Sequence, residues 1–307
     1  MLCVKRGSRL GLSFFLRIAR VDLAKPPSFL QSTVSVLRNE AIARDTYRLR
    51  VEAPEIAKAI RPGQFVMVRP ESGTDPLLGR PFALYDVIRD ASGAPYAIDI
   101  VYLVVGKGTA ALASRRTSDQ LTIWGPLGNG FGDPPQGSSV FIAGGIGQTP
   151  FLTLAKWWSG QQEYGGVRFP VQSIDLMRMF YGVRNADLLA GIDDFRDLGL
   201  DLRIATDDGS AGSRGFVTNL FAESLKTEGP PAKVIGCGPS PMLGALAKIA
   251  EEHAIDCDLS LENHMACGFG VCFSCVAPIR QEDGSIDLRR VCVEGPIFPS
   301  RSVVMSG

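Results

Sequence analysis

The chain has 307 residues, enough for two domains of ordinary size, and its 45% hydrophobic and 21% charged residues describe a soluble globular protein. Lys plus Arg and Asp plus Glu number 32 each, so the formal net charge is zero, and no basic cluster interleaved with aromatic residues suggests a nucleic-acid partner. No apolar run approaches the ~18 residues that a membrane span requires.

Residues 1–30 differ from the rest of the chain. They are rich in Arg and Lys, with no acidic residue before Asp22. A signal peptide fits poorly, because Arg17 interrupts the short apolar run and no small-residue cleavage site follows. We expect an N-terminal extension, either an amphipathic arm or the product of an upstream start codon, and assign it no function.

Residues 31–125 are predicted to form β-strands. The segments are short, rich in β-branched or aromatic residues and often alternating, and they read TVSVLRN, TYRLRVEA, QFVMVRP, FALYDVI, AIDIVYLVV and DQLTIWG. Gly, Pro and Asp separate them at turn positions. This pattern predicts a small antiparallel β-barrel, with ALASRR as its one helical insertion.

Residues 126–258 are predicted to form an α/β domain. Buried strands such as SVFIAGG, MRMFYGVR, LDLRIATDD and AKVIGCGP alternate with the helical segments TPFLTLAKWWSG, FVTNLFAESLK and SPMLGALAKIAEEHA. Strands that alternate with helices indicate a parallel sheet with crossover connections. The pattern therefore favours a nucleotide-binding domain, followed by a third module at 259–307.

A glycine-rich turn joins the first of these strands to its helix. In AGGIGQTP, the glycines Gly144, Gly145 and Gly147 let a pyrophosphate approach backbone N–H groups at the helix start, and Thr149 adds a hydroxyl donor. The match to G-x-G-x-x-G is imperfect, so an ordinary tight turn remains open.

Two further strand ends support a dinucleotide site. Cys237, Gly238 and Pro239 follow one strand, and ligands of open α/β sheets gather at such carboxyl ends. Asp207 follows another strand, where a carboxylate can accept hydrogen bonds from ribose hydroxyls and repel a 2′-phosphate. This favours NAD over NADP, although two solvated turn aspartates, Asp207 and Asp208, remain an alternative.

The predicted barrel contains two candidate phosphate contacts. Arg80 precedes a strand, and its planar guanidinium can donate two hydrogen bonds to a diphosphate. Gly108 and Thr109 lie at a predicted helix start, which is a second phosphate position. Each signal is weak alone, since a lone Arg is usually a surface charge.

Four cysteines near the C-terminus carry the most specific pattern. Three are spaced C-x4-C-x2-C, and sixteen residues separate the third from the fourth: Cys267, Cys272, Cys275 and Cys292. This is the plant-type [2Fe–2S] spacing, although the last gap is short. Gly268 and Gly270 allow the loop to curl around the sulfurs. Structural zinc is the alternative, but zinc ribbons usually pair two C-x2-C units. Reduced thiols fit a cytoplasmic protein.

Protein side chains for acid–base chemistry are scarce. The chain has two histidines, His253 and His264, with no carboxylate–histidine metal motif and no G-x-S-x-G sequence. We therefore expect bound cofactors to carry the chemistry.

Together these motifs resemble the ferredoxin reductase superfamily, and within it the electron transfer subunits of type B dihydroorotate dehydrogenase. The resemblance covers roughly residues 31–300. It rests on PGQFV, LGRPFALYDV, VGKGT, GPLGNGF, AGGIGQTP, GFVT, CGPSPML and MACGFGVCFSCV…RVCVEGPIF. It implies three cofactors: FAD in the barrel, NAD in the α/β domain and a [2Fe–2S] cluster held by the four cysteines.

The resemblance also implies site residues and a partner. The FAD-binding positions would be Arg80, Pro81, Phe82, Ala83, Val101, Tyr102, Leu103, Gly108 and Thr109. The partner would be a catalytic FMN subunit that oxidises dihydroorotate, assembled with this chain in a heterotetramer. Electrons would pass over the cluster and FAD to NAD+, in pyrimidine biosynthesis. Cys237 would line the nicotinamide face or be a buried core thiol.

The chain departs from the family at two positions. Ala83 stands where the family usually has a hydroxyl residue near the flavin N5, and Leu103 stands where it usually has Arg. Losing that cation should weaken contact with the FAD phosphates unless Lys107 or another base replaces it. These departures leave room for an NAD(P)H–ferredoxin or hydrogenase-type reductase subunit.

Two further hypotheses concern interactions. Phe269 and Phe273 flank the cluster cysteines and are candidates for the docking surface of the partner, unless they only pack the loop. The chain could also be a nonenzymatic, zinc-stabilised interaction protein on a reductase scaffold.

Overall fold

The computed structural model describes residues 29–70 and 75–305. The N-terminal extension predicted at 1–30 therefore lies outside the described residues, apart from its last two positions. Within the described ranges, no helix has both the length and the apolar character needed to cross a membrane.

The first sheet has seven strands that pair antiparallel throughout, in the order β4-β3-β7-β1-β2-β6-β5. This confirms the predicted antiparallel barrel, as a half-barrel. Its strands are β1 (Leu30–Ala43), β2 (Thr46–Glu52), β3 (Phe65–Pro70), β4 (Arg80–Ala83), β5 (Asp86–Arg89), β6 (Pro95–Leu103) and β7 (Gln120–Leu127).

Two details of the barrel differ from the prediction. It carries two helices rather than one, α1 (Pro54–Ala59) and α2 (Lys107–Ala113). The segment FALYDVI forms two strands, β4 and β5. Between these two strands the backbone changes its hydrogen-bond partner: the Leu84 N–H donates to the carbonyl of Gln64, and the Tyr85 N–H donates to that of Asp99.

The second sheet has a parallel body with helices between its strands, which confirms the predicted α/β domain. Its parallel strands run in the order β11-β10-β9-β8-β12-β13. They are β8 (Ser139–Gly144), β9 (Met177–Val183), β10 (Asp201–Thr206), β11 (Ser213–Arg214), β12 (Lys233–Cys237) and β13 (Asp256–Ser260). The helices are α3 (Phe151–Trp158), α4 (Ile192–Asp197), α5 (Val217–Glu228) and α6 (Ser240–Glu252).

The C-terminal region combines a separate hairpin with an additional strand of this sheet. The hairpin consists of β14 (Val276–Arg280) and β15 (Ile286–Arg290). The last strand, β16 (Ile297–Pro299), pairs antiparallel with β13. The chain thus returns to the α/β sheet after forming the cysteine-bearing loop.

The barrel and the α/β sheet share one continuous hydrophobic core. Polar contacts join them at its edge. The Tyr85 hydroxyl donates to Asp194 at 2.6 Å, and Lys156 pairs with Asp86 at 2.6 Å. Arg44 of the barrel bonds to Asp187 at 3.0 Å. This packing places the carboxyl ends of the parallel strands against the barrel.

Candidate functional site

A cleft of about 700 Å³ opens between the barrel and the end of β12. We call it the flavin-side cleft. All nine positions that the sequence assigned to FAD line it: Arg80, Pro81, Phe82, Ala83, Val101, Tyr102, Leu103, Gly108 and Thr109. Residues from β4, β6 and the start of α2 therefore meet around one space of the size that cofactors occupy.

Arg80 and Gly108 pack directly against each other in this cleft. The Arg80 Nη1 donates to the carbonyls of Leu78 and Gly79, each at 3.0 Å, which fixes the direction of the guanidinium. A Cβ atom at Gly108 would lie 3.3 Å from the Arg80 Nε. The absence of a side chain at Gly108 thus makes room for the cation, and this pair fits a diphosphate.

The neighbouring side chains have other partners. The Thr109 hydroxyl accepts from the N–H groups of Val105 and Gly106, at 2.9 and 3.2 Å, so it shapes the loop before α2. Lys107 pairs with Asp75. The Tyr102 hydroxyl donates to Asn39, and burial raises the pKa of that phenol, so Tyr102 is a neutral wall of the cleft.

A second cleft, of about 840 Å³, follows the carboxyl ends of the parallel strands. We call it the nucleotide-side cleft. Five of the residues that the sequence assigned to NAD line it: Gly144, Gly145, Asp207, Gly238 and Pro239. Two others, Thr149 and Cys237, line the flavin-side cleft instead.

The glycines of the turn after β8 serve different purposes. Gly145 has a φ of +56°, a conformation that favours glycine. A Cβ atom at Gly147 would lie 2.2 Å from the carbonyl oxygen of Cys237, so Gly147 allows the turn to touch the end of β12. The two predicted glycine motifs are therefore packed together.

The two aspartates that follow β10, Asp207 and Asp208, have different surroundings. The carboxylate of Asp208 accepts from the backbone N–H and the hydroxyl of Ser210, at 2.9 and 2.6 Å, and these bonds lower its pKa. Asp208 is thus a turn residue, whereas Asp207 lines the nucleotide-side cleft.

The two clefts share a wall, formed by Leu103, Ile146, Gly238, Pro239 and Glu262. Groups bound in the two clefts would meet there. The Glu262 side chain is open to the cleft space, and desolvation by the surrounding protein raises its pKa. Sequence reasoning missed Glu262, because it follows β13, a strand that the prediction did not include.

Cys237 is buried beside this wall. Burial raises the pKa of its thiol, and the Glu262 charge adds to the rise. Cys237 belongs to the core, as one of its two predicted roles requires, and it also lines the flavin-side cleft; its place at the nicotinamide face stays a prediction.

The four predicted cluster ligands lie near one another. Cys272 interacts with Cys267, and Cys292 interacts with both Cys275 and Cys267. Within the described residues, no three His, Cys, Asp or Glu side chains meet at a point suited to one metal ion. Four neighbouring thiols match the number of thiolate ligands that a two-iron cluster requires.

The thiols differ in their surroundings. The Ser274 hydroxyl, 3.1 Å from the Cys272 sulfur, lowers the pKa of that exposed thiol to about 6. Burial raises the pKa of Cys292 to about 12, against an opposing hydrogen bond from the backbone of Gly270. Donors of this kind also stabilise the negative charge of an iron–sulfur cluster.

The cysteine loop is fixed to the barrel. The Trp124 indole N–H donates to the carbonyl of Cys267 at 2.8 Å. Gly268 and Gly270 have φ values of +82° and +88°, and a Cβ atom at Gly268 would lie 2.5 Å from Met67. The tight curl predicted from these glycines is confirmed.

Comparison with known proteins identifies relatives along most of the chain. The model of the iron–sulfur cluster binding domain of dihydroorotate dehydrogenase B matches residues 262–304. A dihydroorotate dehydrogenase B (NAD(+)) electron transfer subunit from Desulforamulus reducens is 35% identical and aligns over 88% of this chain and 96% of that protein. The subunit from Geobacillus kaustophilus is 34% identical, over 89% and 98%.

Solved structures share the fold. The NADH-dependent reduced ferredoxin-NADP oxidoreductase, studied for flavin-based electron bifurcation, has a TM-score of 0.73 and 26% identity, covering 89% of this chain and 90% of that one. Phthalate dioxygenase reductase has a TM-score of 0.57 and 17% identity, covering 87% and 94%. The extent and identity of the sequence matches show that this chain belongs to the family of dihydroorotate dehydrogenase B (NAD(+)) electron transfer subunits.

Proposed function

We propose that the chain carries electrons from a partner subunit that oxidises dihydroorotate on FMN to NAD+, through a [2Fe–2S] cluster and FAD. The cluster would lie in the module predicted at 259–307, FAD in 31–125 and NAD in 126–258, although the structure continues β13 (Asp256–Ser260) across the last boundary and pairs β16 (Ile297–Pro299) with it. The supporting observation is the shared wall, since two cofactor-sized clefts meet at Ile146, Gly238 and Pro239 beside a cysteine loop that is bonded to the barrel.

This order of cofactors follows from their chemistry. An iron–sulfur cluster passes one electron at a time and NAD+ accepts a hydride, so FAD, which can exchange one or two electrons, belongs between them. The protein's contribution is to hold and align these groups. Arg80 would bind the FAD diphosphate, Asp207 the adenosine ribose of NAD, and the shared wall would keep the nicotinamide against the flavin ring.

Reconstitution with the partner tests the proposal. The chain, prepared anaerobically and combined with its FMN subunit, should reduce NAD+ when dihydroorotate is added. Metal, acid-labile sulfide and flavin analysis of the same preparation checks the cofactors, and protein that holds zinc and no flavin would support the interaction-protein hypothesis. A fully loaded complex in which dihydroorotate never reduces NAD+ would contradict the proposed donor.

The partner is proposed to dock on the exposed rim of the cysteine loop. Val271 and Phe273 are 72% and 59% exposed, and Phe273 holds a φ of +56°, which is unusual for a bulky residue. The Arg290 guanidinium lies 5.1 Å from the centre of the Phe273 ring. Exposed apolar groups of this kind mark interaction sites, and we propose a cytoplasmic heterotetramer assembled through them.

A negative charge introduced at this rim separates docking from internal electron transfer. Phe273→Asp and Phe269→Asp should each reduce dihydroorotate-dependent NAD+ reduction while NADH-driven reduction of a dye persists. Val171→Asp is a matched control, because Val171 is 83% exposed on a loop that lies outside both clefts. Unchanged coupling in both Phe variants would place the docking surface elsewhere.

A ferredoxin-dependent reductase is the second candidate function. It is favoured by the structural likeness to the NADH-dependent ferredoxin-NADP oxidoreductase and by the departures at Ala83 and Leu103. Reduced ferredoxin should then replace dihydroorotate and the FMN subunit as the electron source. Comparing the two donors with one preparation decides between the functions.

A further inference from the structure

The nucleotide-side cleft has a wall that belongs to the barrel. Most of its lining comes from the α/β domain, but five residues come from barrel strand ends and the loops beside them: Arg44, Asp45, Thr46, Leu103 and Val104. Leu103 is also part of the wall that the two clefts share. The shape of this cleft, and its distance from the flavin-side cleft, therefore depend on how the barrel is placed against the α/β domain.

A segment of the α/β domain, residues 185–194, is bound to the barrel near both of its ends. Near its start, the Arg44 N–H donates to the carbonyl of Asp187 at 2.9 Å. At its end, Asp194 accepts from the Tyr85 hydroxyl at 2.6 Å. Leu188 and Ala190, between these two contacts, line the nucleotide-side cleft. The contacts with the barrel thus hold part of the cleft wall in place.

One oxygen of Asp194 receives two barrel side chains. Its Oδ2 accepts from the Tyr85 hydroxyl and from the Arg48 guanidinium. The same guanidinium lies 5.1 Å from the centre of the Tyr85 ring. Burial raises the pKa of Tyr85, so the hydroxyl keeps its proton and remains a donor. We call these three side chains the interdomain clamp; its hydrogen bonds to a carboxylate are of the strong, charge-assisted kind.

The clamp requires a glycine on the α/β side. Gly191 has a φ of +69°, and a Cβ atom there would overlap the Tyr85 hydroxyl oxygen. Gly191 lines neither cleft, so no cofactor explains the absence of its side chain. The room that it leaves is the room through which the Tyr85 hydroxyl reaches Asp194.

The barrel members of the clamp adjoin strands that line the flavin-side cleft. Tyr85 follows Ala83 by two residues, and Arg48 pairs in register with Val101 of β6. Ala83 and Val101 both line that cleft. The clamp therefore connects the strands around the flavin-side cleft to the segment that forms part of the nucleotide-side cleft.

We infer that Tyr85, Arg48 and Asp194 are positioning residues that set the alignment of the flavin ring and the nicotinamide across the shared wall. The inference rests on the proposed function, because it assumes that FAD and NAD occupy the two clefts. The three side chains line neither cleft, so they act through the strands and the segment that do. Alignment matters because a displacement of about 1 Å between reacting groups can slow a reaction by about 100-fold.

Flavin reduction by NADH tests the clamp. In fully flavin-loaded holoprotein, Tyr85→Phe should lower the rate at saturating NADH by about ten-fold, since alignment is lost. The dissociation constant of NADH, from the concentration dependence of that rate, should change by less than about two-fold, because no side chain of the cleft is altered. Stopped-flow absorbance measures both quantities.

Gly191→Ala provides a second, independent variant. It removes no polar group but displaces the Tyr85 hydroxyl, so it should also lower the saturating rate. Most of the overlap is with the hydroxyl oxygen, and Gly191→Ala should therefore cost much less when it is added to Tyr85→Phe. Such non-additivity is the expected result for two residues that act through one contact.

Tyr164→Phe is the matched control. Tyr164 and Tyr85 are each 1% exposed, and the Tyr164 hydroxyl likewise donates to an aspartate of the barrel, Asp86, at 3.0 Å. Neither Tyr164 nor Asp86 lines a cleft, and Lys156 still holds Asp86 in the variant. The saturating rate should therefore equal that of the wild type.

Hydrogen exchange gives a readout that does not depend on activity. Mass spectrometry should find faster amide exchange within residues 185–194 in Tyr85→Phe than in the wild type, because the end of that segment is released from the barrel. Tyr164→Phe should leave the exchange of these residues unchanged.

The outcomes separate the inference from the proposed function. Wild-type rates in both Tyr85→Phe and Gly191→Ala, or unchanged exchange of residues 185–194 in Tyr85→Phe, would overturn the inference alone. An equal loss of rate in Tyr164→Phe would also overturn it, since the rate would then follow the general stability of the interface. Wild-type holoprotein whose flavin NADH does not reduce would overturn the proposed function itself.

Discussion

The cysteine loop and the carboxyl edge of the α/β sheet assemble their functional groups in opposite ways. The loop takes three ligands from one short segment and the fourth from just beyond a hairpin. The sheet edge gathers its groups from six strands, between Gly144 and Glu262. The loop is an all-or-none site, because each iron needs its full set of thiolates, whereas the sheet edge distributes binding over many weak contacts.

The largest expected effect comes from removing a cluster ligand. Cys292→Ser should abolish dihydroorotate-dependent NAD+ reduction, a loss above the about 100-fold seen when an outer-shell partner of a metal is removed. NADH-driven dye reduction, which draws electrons from FAD, should continue. Iron and sulfide analysis checks the cause.

Cys257→Ser is the control for that variant. Cys257 is buried on β13, outside the cysteine loop, so its replacement should leave iron content unchanged. Equal loss of iron in both variants would contradict the assignment of the cluster to the cysteine loop.

The barrel packs against both the cysteine loop and the α/β sheet. A substitution that destabilises the barrel should therefore lower the stability of the whole protein. Asp99 is buried and accepts two hydrogen bonds from Arg50, at 2.7 and 2.9 Å. Arg50→Met should lower the free energy of unfolding by about 3–5 kcal/mol at pH 8, because an ionised carboxylate is left buried without a partner. Urea unfolding measures the loss.

The pH dependence of this variant has a definite sign. Burial raises the pKa of Asp99, and the Arg50 hydrogen bond opposes that rise, so Arg50→Met raises the pKa further. The destabilisation is therefore full above the folded-state pKa and is relieved as the pH falls and the carboxyl takes up a proton. The double variant Arg50→Met/Asp99→Leu should recover stability at pH 8; persistent loss would contradict the buried-charge explanation.

Arginine loss in the flavin-side cleft should have an intermediate effect. Arg80→Ala should weaken FAD binding by about 10–100-fold, since hydrogen bonds to charged groups are lost. Gly108→Ala presses on Arg80 and should give a smaller loss, whereas Gly132→Ala, whose new Cβ atom meets nothing within 4 Å and lies outside both clefts, should give none. Flavin retention during dialysis ranks the three, and a different order would argue against the Arg80–Gly108 cradle.

The smallest effects should come from glycine substitutions in the turn after β8, at the edge of the α/β sheet, and they concern the free energy of unfolding. Gly147→Ala places a Cβ atom 2.2 Å from the Cys237 carbonyl and should cost about 1–3 kcal/mol of stability. Gly145→Ala places its Cβ atom in open space, so only the strain of its positive φ remains, which should cost about 1 kcal/mol of stability. Equal costs in urea unfolding would show that the turn does not pack tightly on β12.

The same contrast between the cysteine loop and the sheet edge explains which parts of the fold and of the site could be predicted from the sequence. Cys267, Cys272 and Cys275 are recognisable because their spacing is local, and the antiparallel and parallel sheets follow from alternating and continuous apolar patterns. Glu262 was not predicted, because it joins the shared wall only when β13 takes its place in the sheet. The split of FALYDVI into β4 and β5 depends on Gln64 and Asp99, which no local pattern links to it.

The return of β16 to the α/β sheet limits how this protein can be rearranged. Because Ile297–Pro299 pairs with β13, the residues that carry the cysteines are enclosed between two adjacent strands of one sheet. An exchange of iron–sulfur modules between relatives would have to conserve that final strand, and a cut after Ser260 would expose the flank of β13. The cysteine-bearing region is thus built as an insertion into the α/β sheet, rather than as a detachable tail.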